Sequence, residues 1–245
     1  MFTETVKAPV RRRPGRPSGP TADGLRTRRR LYDAAVELIT ERGYDEATLR
    51  DVAGAAGVSV GLLYKYFPSK RAVVLALYDE LSADYAREAV TMTRGRWRER
   101  YVFALRTSLR VLGPHRRALS RLVPVLVGDP EDGVFGPSTA FSRERVVPVF
   151  DAAIREASDA PKADLAAPLG RLLYLIHLAV LLWWVLDKSP RQRATAALVA
   201  LIERALPLAS LALRVGPVRS IVRSGDALFR EALFDNAEIS SGSRP

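Results

Sequence analysis

The 245-residue sequence predicts an all-α protein, with a small N-terminal helix-turn-helix domain followed by a larger helical body. Two short, capped helices joined by a glycine turn occupy Thr48 to Lys70. Apolar residues recur at helical spacing through most of the remainder, and no stretch alternates apolar and polar residues as a half-buried strand would.

Residues 1–24 read as a disordered basic arm, because Pro9, Pro14, Pro17 and Pro20 with Gly15, Gly19 and Gly24 leave no room for regular structure. A first helix is predicted over Arg26 to Arg42, with Leu31, Ala35, Leu38 and Ile39 on its apolar face and Gly43 as its stop. Tyr44 anchors the turn that follows. Thr48 is the N-cap of a second helix, since its hydroxyl can accept an orphan backbone N–H, and Asp51 supplies the acidic partner of a capping box. Leu49, Val52, Ala53 and Ala56 give this helix one apolar face, and Gly57 can take the left-handed conformation that ends it.

Ser59 caps a third helix and Pro68 stops it, because the residue before a proline is pushed away from helical angles. Leu63 and Phe67 share the face that packs on the second helix, which leaves Val60, Gly61, Tyr64 and Lys65 outward. Gly61 lowers helix propensity by about 1 kcal/mol relative to Ala, a cost that close approach to another surface would explain. The pair fits a helix-turn-helix whose second helix enters the DNA major groove. On its own it fits a helical hairpin in an ordinary α-domain equally well.

Ser69 caps a fourth helix with a stripe of Val74, Leu77, Tyr78, Leu81 and Tyr85, reaching to about Met92. It begins at the reading domain and ends far from it, as a lever would. Further helices are expected at about 97–112, 115–127, 139–157, 164–187 and 190–213, with loops at Gly113-Pro114, 128–138 and 158–164. Pro124, Pro148 and Pro207 are expected to kink or split three of them, and Ser189-Pro190 to start the last. The segment 169–186 is apolar nearly all round, so both its sides need cover. Its uninterrupted apolar run, Leu172 to Leu186, is fifteen residues with His177 inside, short of a membrane span, so no membrane insertion is expected. Beyond Arg214, Ser224 offers a cap and Leu228, Phe229, Ala232 and Leu233 an apolar side; a docked helix and a free amphipathic tail both fit.

The chain carries 38 basic and 27 acidic residues, a formal charge of +11, and its first thirty residues hold nine basic and two acidic ones. Such a block suits a polyanion, either nucleic acid or an anionic membrane surface. Within it, Arg13 and Arg16 of RRRPGRP fit either minor-groove insertion or a nonspecific phosphate-binding tail. The absence of cysteine excludes disulfides, thiolate chemistry and Cys-based metal sites. No signal-peptide pattern is present, so a cytoplasmic location is expected. The two histidines, His115 and His177, have no metal-binding spacing, and no glycine-rich phosphate cradle follows a strand. Neither an enzyme, a metal site nor a cofactor is expected.

The run Arg26 to Tyr78, above all AGVSVGLLYKYFPSK, resembles the DNA-binding domain of the tetracycline-repressor (TetR) family of transcriptional regulators. The match covers roughly a quarter of the chain. The resemblance implies a homeodomain-like domain over 25–71, a helical ligand-binding and dimerisation domain over 72–213, and a C-terminal extension over 214–245. It also implies a ligand-responsive repressor that binds a palindromic operator as a homodimer, pairing helices near 168–187 and 190–213 in a four-helix bundle. By that resemblance Thr48, Tyr64, Tyr66 and Lys70 meet the DNA backbone, and base readout falls to Ser59, Val60, Gly61, Leu62 and Lys65. A small lipophilic ligand is expected against Phe103, Phe141, Tyr174, His177, Leu181, Trp183 and Trp184. Two rival readings remain: a basic membrane-surface protein that uses its arm and tail, and a DNA-binding regulator whose body only dimerises.

Overall fold

The computed structural model describes residues 21–233; residues 1–20 of the expected arm, with Arg13 and Arg16, and the polar tail lie outside the described residues, while 22–24, expected in the arm, belong to the first helix. Among the described residues there are α-helices and short 3-10 turns and no strand. Helix α1 spans Ala22–Arg42, α2 Leu49–Ala55 and α3 Val60–Tyr66. The first of these starts four residues before the expected Arg26, because the Thr21 hydroxyl accepts the Gly24 backbone N–H at 3.1 Å and nucleates an earlier turn. Gly57 takes φ +63° between α2 and α3, the left-handed angle that ends one helix and aims the next.

Helix α4 spans Lys70–Ala89 and is capped by Ser69, whose hydroxyl accepts from Ala72 N at 3.2 Å. It serves two cores. Val73, Val74, Leu77 and Leu81 pack with Leu31, Leu38, Val52, Leu63 and Phe67 of α1 to α3. Farther along, Tyr85 and Ala89 join a second core of Trp97, Tyr101 and Leu105, Phe150 and Ile154, and Leu169, Leu173 and Tyr174. These come from α5 (Trp97–Leu112), α8 (Ala140–Arg155) and α9 (Ala163–Leu186). Closing the set are α6 (Arg116–Arg121), α7 (Val123–Gly128), α10 (Arg193–Ala212) and α11 (Gly216–Leu233).

Of the three prolines expected to kink or split helices, Pro124 stands beside a split. The segment 115–127 breaks at buried Leu122, and Pro124 falls in the first turn of α7, where a missing N–H matters least. Helices α8 and α10 run through Pro148 and Pro207. Both prolines are exposed, as are Glu144 and Glu203 four residues before them, so water can take the freed carbonyls. Ser189 acts one step later than expected: its hydroxyl accepts from Ala194 N at 2.9 Å, after Arg191 and Gln192 take left-handed angles. The Asp187 carboxylate completes this cap by accepting from Thr195 N and Oγ1 at 2.9 and 2.6 Å.

Two arginines tie helices together by donating to carbonyls at helix C-termini, where the negative end of the helix dipole favours a cation. Buried Arg100 of α5 donates to Ala152 O and Ala153 O at the end of α8 and pairs with Glu156 at 2.9 Å. Arg116 of α6 donates to Trp184 O at 2.9 Å and Val185 O at 3.3 Å, at the end of α9. Helix α6 also packs on α1, so the N-terminal domain touches the body at a second place.

The C-terminal extension contains a docked helix. Helix α11 lies along α9 and begins at Gly216, with Ser224 inside it rather than at its start. Arg171 of α9 donates to both Asp226 carboxylate oxygens at 2.6 Å, and Arg223 pairs with Asp164 at 2.9 Å. Helix α9, at 24 residues longer than its apolar run, and the segment Pro190–Ala212 are by length and composition apolar enough to cross a membrane. The former is packed by α8, α5 and α11; the latter exposes Leu201, Leu208 and Leu211.

Asp226 is the buried member of the α9–α11 tie, so Asp226→Ala leaves Arg171 without its bidentate acceptor. A loss of about 3 kcal/mol is expected in urea unfolding of the full chain, and a change below 0.5 kcal/mol would show that the pair does not hold α11.

Candidate functional site

Two places gather the predicted residues. The first is the outer surface of α2 and α3. Ser59 accepts from Leu62 N at 3.2 Å and so aims α3. On α3, Tyr64 is 51% exposed, Gly61 and Lys65 are exposed, and Val60, Leu62 and Tyr66 are half-buried. A Cβ added to Gly61 meets nothing within 4 Å, so no packing within the described chain requires the glycine. Thr48, Arg50, Val60, Tyr64 and Lys70 line one open depression of about 470 Å³. Arg50, an exposed cation there, escaped the sequence reading, although its place in the first turn after Thr48 could have revealed it.

Two of the expected DNA-facing groups are engaged internally. The Thr48 hydroxyl accepts from Asp51 N at 3.1 Å and donates to Asp51 Oδ2 at 2.7 Å, so its proton points to a carboxylate. That bond, first among the causes, holds the Asp51 carboxyl below its usual range. Asp51 thus meets the cap with both its backbone N–H and its carboxylate. Lys70 Nζ donates to Tyr44 O at 2.7 Å and Asp45 O at 3.0 Å and sits over the Tyr44 ring, tying the start of α4 to the turn before α2.

The second place is a chamber of about 130 Å³ between α4, α5, α8 and α9. Tyr174, His177 and Leu181 line it, joined by Tyr78, Ser82, Tyr85, Ser108, Thr139, Ser142 and Arg143. The polar lining from α4, α5 and α8 was missed: Tyr78 and Tyr85 read as core on a helical stripe, and nothing in the spacing places Ser108 or Arg143 near His177. The chamber shares Leu112, Leu119, Leu126, Val134, Leu178 and Leu181 with a cleft of about 920 Å³. That cleft is walled by α7, α9, the loop Gly128–Phe135 and the end of α11, with Trp184 at its edge.

Three of the residues expected around a ligand line neither space. Trp183 is 50% exposed, because the helical turn that buries Trp184 carries its neighbour outward. Phe103 is half-buried outside both, and Phe141 packs against the N-terminal core beneath the Arg145 guanidinium.

His177 Nε2 lies 2.8 Å from Ser108 Oγ, and its ring stacks on Tyr85 with Phe150 at 4.8 Å between centroids. Complete burial holds its pKa down to about 3, so the imidazole is neutral. Burial likewise pushes the Tyr85 and Tyr174 phenols well above their ordinary value, keeping both as O–H groups. The hydroxyls of Tyr78 and Tyr85 and His177 Nδ1 are buried and make no hydrogen bond among the described residues. Arg143 Nη1 donates to Val134 O at 3.1 Å, Gly136 O at 2.7 Å and Thr139 Oγ1 at 3.0 Å. Among the described residues it forms no ion pair, and burial draws its pKa downward. Among the described residues no group of three His, Asp or Glu could hold a metal ion.

A helix-turn-helix unit that presents α3 outward, mounted on an all-helical body with an interior chamber, is the architecture these elements define. Residues 31–77 match the family model for bacterial regulatory proteins of the tetR family, so the similarity to that family lies in this N-terminal segment. The repressor KstR of Mycobacterium tuberculosis is 45% identical over 60 residues, 24% of this chain and 26% of that protein. The chain spans about a quarter of the length of the curated relatives it matches.

Solved structures extend the likeness to the body. The fatty acid degradation regulator FadR of Bacillus halodurans superposes with a TM-score of 0.60 at 20% identity, over 74% of this chain and 94% of that one. FadR of Bacillus subtilis, solved with stearoyl-CoA, gives 0.56 at 17% identity over 71% and 96%. At these identities the likeness establishes the fold.

His177 also sets a pH dependence. Folded, it stays neutral down to about pH 3; unfolded, it takes a proton below its ordinary 6.5, so the unfolded chain binds more protons in between. Stability should therefore fall as pH drops from 6.5, with a contribution near 1.4 kcal/mol per unit below about pH 5.5. Guanidinium titrations at pH 7 and pH 4.5 should show a smaller acid loss in His177→Gln, and an equal loss in both proteins would contradict a neutral buried ring.

Proposed function

We propose that the chain is a DNA-binding transcriptional regulator, a repressor that binds a palindromic operator as a homodimer and is released by a small lipophilic ligand. The observation that carries this reading is the outward face of α3, where Gly61, Tyr64 and Lys65 stand exposed on a domain of the tetR family. Ser59, Val60 and Leu62 begin the same helix and give it short, mostly apolar groups suited to thymine methyls. Tyr64, Tyr66 and Arg50 sit where phosphate contacts would fix register, with Thr48 and Lys70 as supports of that surface. The chemistry is binding rather than catalysis, and the place of action is the cytoplasm.

Dimerisation falls to α9 and α10. Trp183 and Leu186, with Ile176, Ala179 and Leu182 that also edge the cleft, make one exposed apolar stripe on α9, and Leu201, Leu208 and Leu211 another on α10. Apolar stripes on adjacent helices suit an isologous four-helix contact. The reading heads of such a dimer meet half-sites about 34–36 Å apart or a multiple of that spacing. A ligand favouring another separation lowers operator affinity by its differential binding to the two states. The cleft and chamber supply the ligand space, and the likeness to regulators of fatty acid metabolism supports a lipophilic occupant. The exposed stripe of α10 suits a membrane surface on apolarity alone; vesicle flotation without duplex binding would favour that reading.

Selection of duplexes from random DNA should return a palindromic site, and failure to enrich any sequence would count against a regulator. Tyr64→Ala should weaken operator binding at least tenfold in mobility-shift titrations while leaving stability within about 0.5 kcal/mol; unchanged affinity would move the reading surface elsewhere. Gly61→Ala is expected to stabilise the fold by about 1 kcal/mol yet weaken operator binding, because its Cβ enters the space the DNA occupies. Stabilisation without loss of binding would remove Gly61 from the interface.

A further inference from the structure

The chamber beside His177 is built for a group the chain does not itself supply. Three polar side chains at least nine-tenths buried, Tyr78, Tyr85 and His177, turn polar atoms toward it without a hydrogen bond among the described residues. Buried groups in this condition are destabilising, and three around one small space are a strong signal of a polar occupant. All three can act as donors. The two phenols contribute O–H groups, and in the tautomer in which Ser108 donates to Nε2 the neutral His177 ring adds an Nδ1–H.

The fourth wall is Arg143, whose guanidinium has carbonyl and hydroxyl acceptors but no carboxylate among the described residues. Donors and a half-buried cation without a counter-ion call for an acceptor-only anion. The chamber shares a wall of leucines and a valine with an almost wholly apolar cleft of about 920 Å³, at the upper end of the range for small-molecule sites, roughly 300–1,000 Å³. Water satisfies the chamber but not the cleft; an amphiphile satisfies both.

We propose that this chamber receives, head first, the carboxylate of a monocarboxylic amphiphile whose hydrocarbon tail lies in the cleft under Phe229 and Leu233 of α11. The head is taken by Arg143, Tyr85 and Tyr78, with His177 as a further donor. A volume of about 130 Å³ admits a carboxyl group and the first carbons of a chain, but not a nucleotide-bearing thioester head. This inference deepens the ligand-responsive reading and rests on it.

The full chain is titrated with dodecanoate, methyl dodecanoate and dodecanoyl-coenzyme A, followed by calorimetry and by tryptophan fluorescence, since Trp184 edges the cleft. The free acid should bind, and the ester about tenfold or more weakly, because esterification removes the charge the donors are placed to meet. Tyr85→Phe, which keeps the ring, and Arg143→Gln should each weaken the acid by about tenfold and leave the ester nearly unchanged. Equal affinity for acid and ester, binding of the thioester without the acid, or an unchanged acid affinity in Tyr85→Phe overturns the assignment. The operator experiment separates the two readings. Selected DNA that the protein binds, with no response to the acid, rejects the chamber's ligand alone; acid binding without any selected DNA rejects the regulator and leaves the chamber standing.

Discussion

Helix α4 fills two cores with one row of side chains. Its first three turns complete the packing of α1 to α3, and Tyr85 and Ala89 beyond them belong to the body. Helices α2 and α3 have seven residues each, far below the ~12–15 at which an isolated helix becomes marginally stable, so they depend on that packing. The outward face of α3 is therefore a by-product of burial: Leu63 and Phe67 go inward against α4, and the same turn of helix sends Tyr64 and Lys65 out.

Charge is used inside this fold mainly to finish helices. Arg100 and Arg116 reach carbonyls at the ends of α8 and α9 that a glycine cap leaves to backbone N–H groups. Asp187 does the reverse at the start of α10, where its carboxylate accepts from Thr195 and Ser189; these bonds, Thr195 first, hold it far below the usual carboxylate range. Buried polar atoms are left over at Tyr32 and Tyr101 as well, but only the chamber gathers three of them, two phenols and an imidazole nitrogen, around one space among the described residues.

The helix-turn-helix was legible because its signals are local. Thr48, Gly57, Ser59 and Ser69 each act within three or four residues, and all four do in the structure what their spacing predicts. The chamber was half legible. The concentration of aromatic groups and one histidine on α9 pointed to Tyr174, His177 and Leu181, but their partners sit far away in sequence: Ser108 is 69 residues from His177. Trp183 and Phe103 were over-read, since an apolar helix gives no phase by which to tell inward from outward. Docking of α11 rests on Arg171 and Asp226, 55 residues apart, and its amphipathic pattern alone fits a free tail as well.

The tether from Arg116 to the last carbonyls of α9 limits how the N-terminal domain can move. That domain is joined to the body along α4 and again where α6 packs on α1, and Arg116 fixes α6 to α9. Contacts along two such lines oppose independent sliding more than they oppose rotation about an axis through both attachments. From Tyr85 to Lys70 is about 22 Å along the helix, so a rotation of about 5° there carries the tip of α3 by roughly 2 Å. In the proposed dimer, two subunits turning in opposite senses would double that displacement, enough to move a pair of heads out of step with the pitch of a duplex.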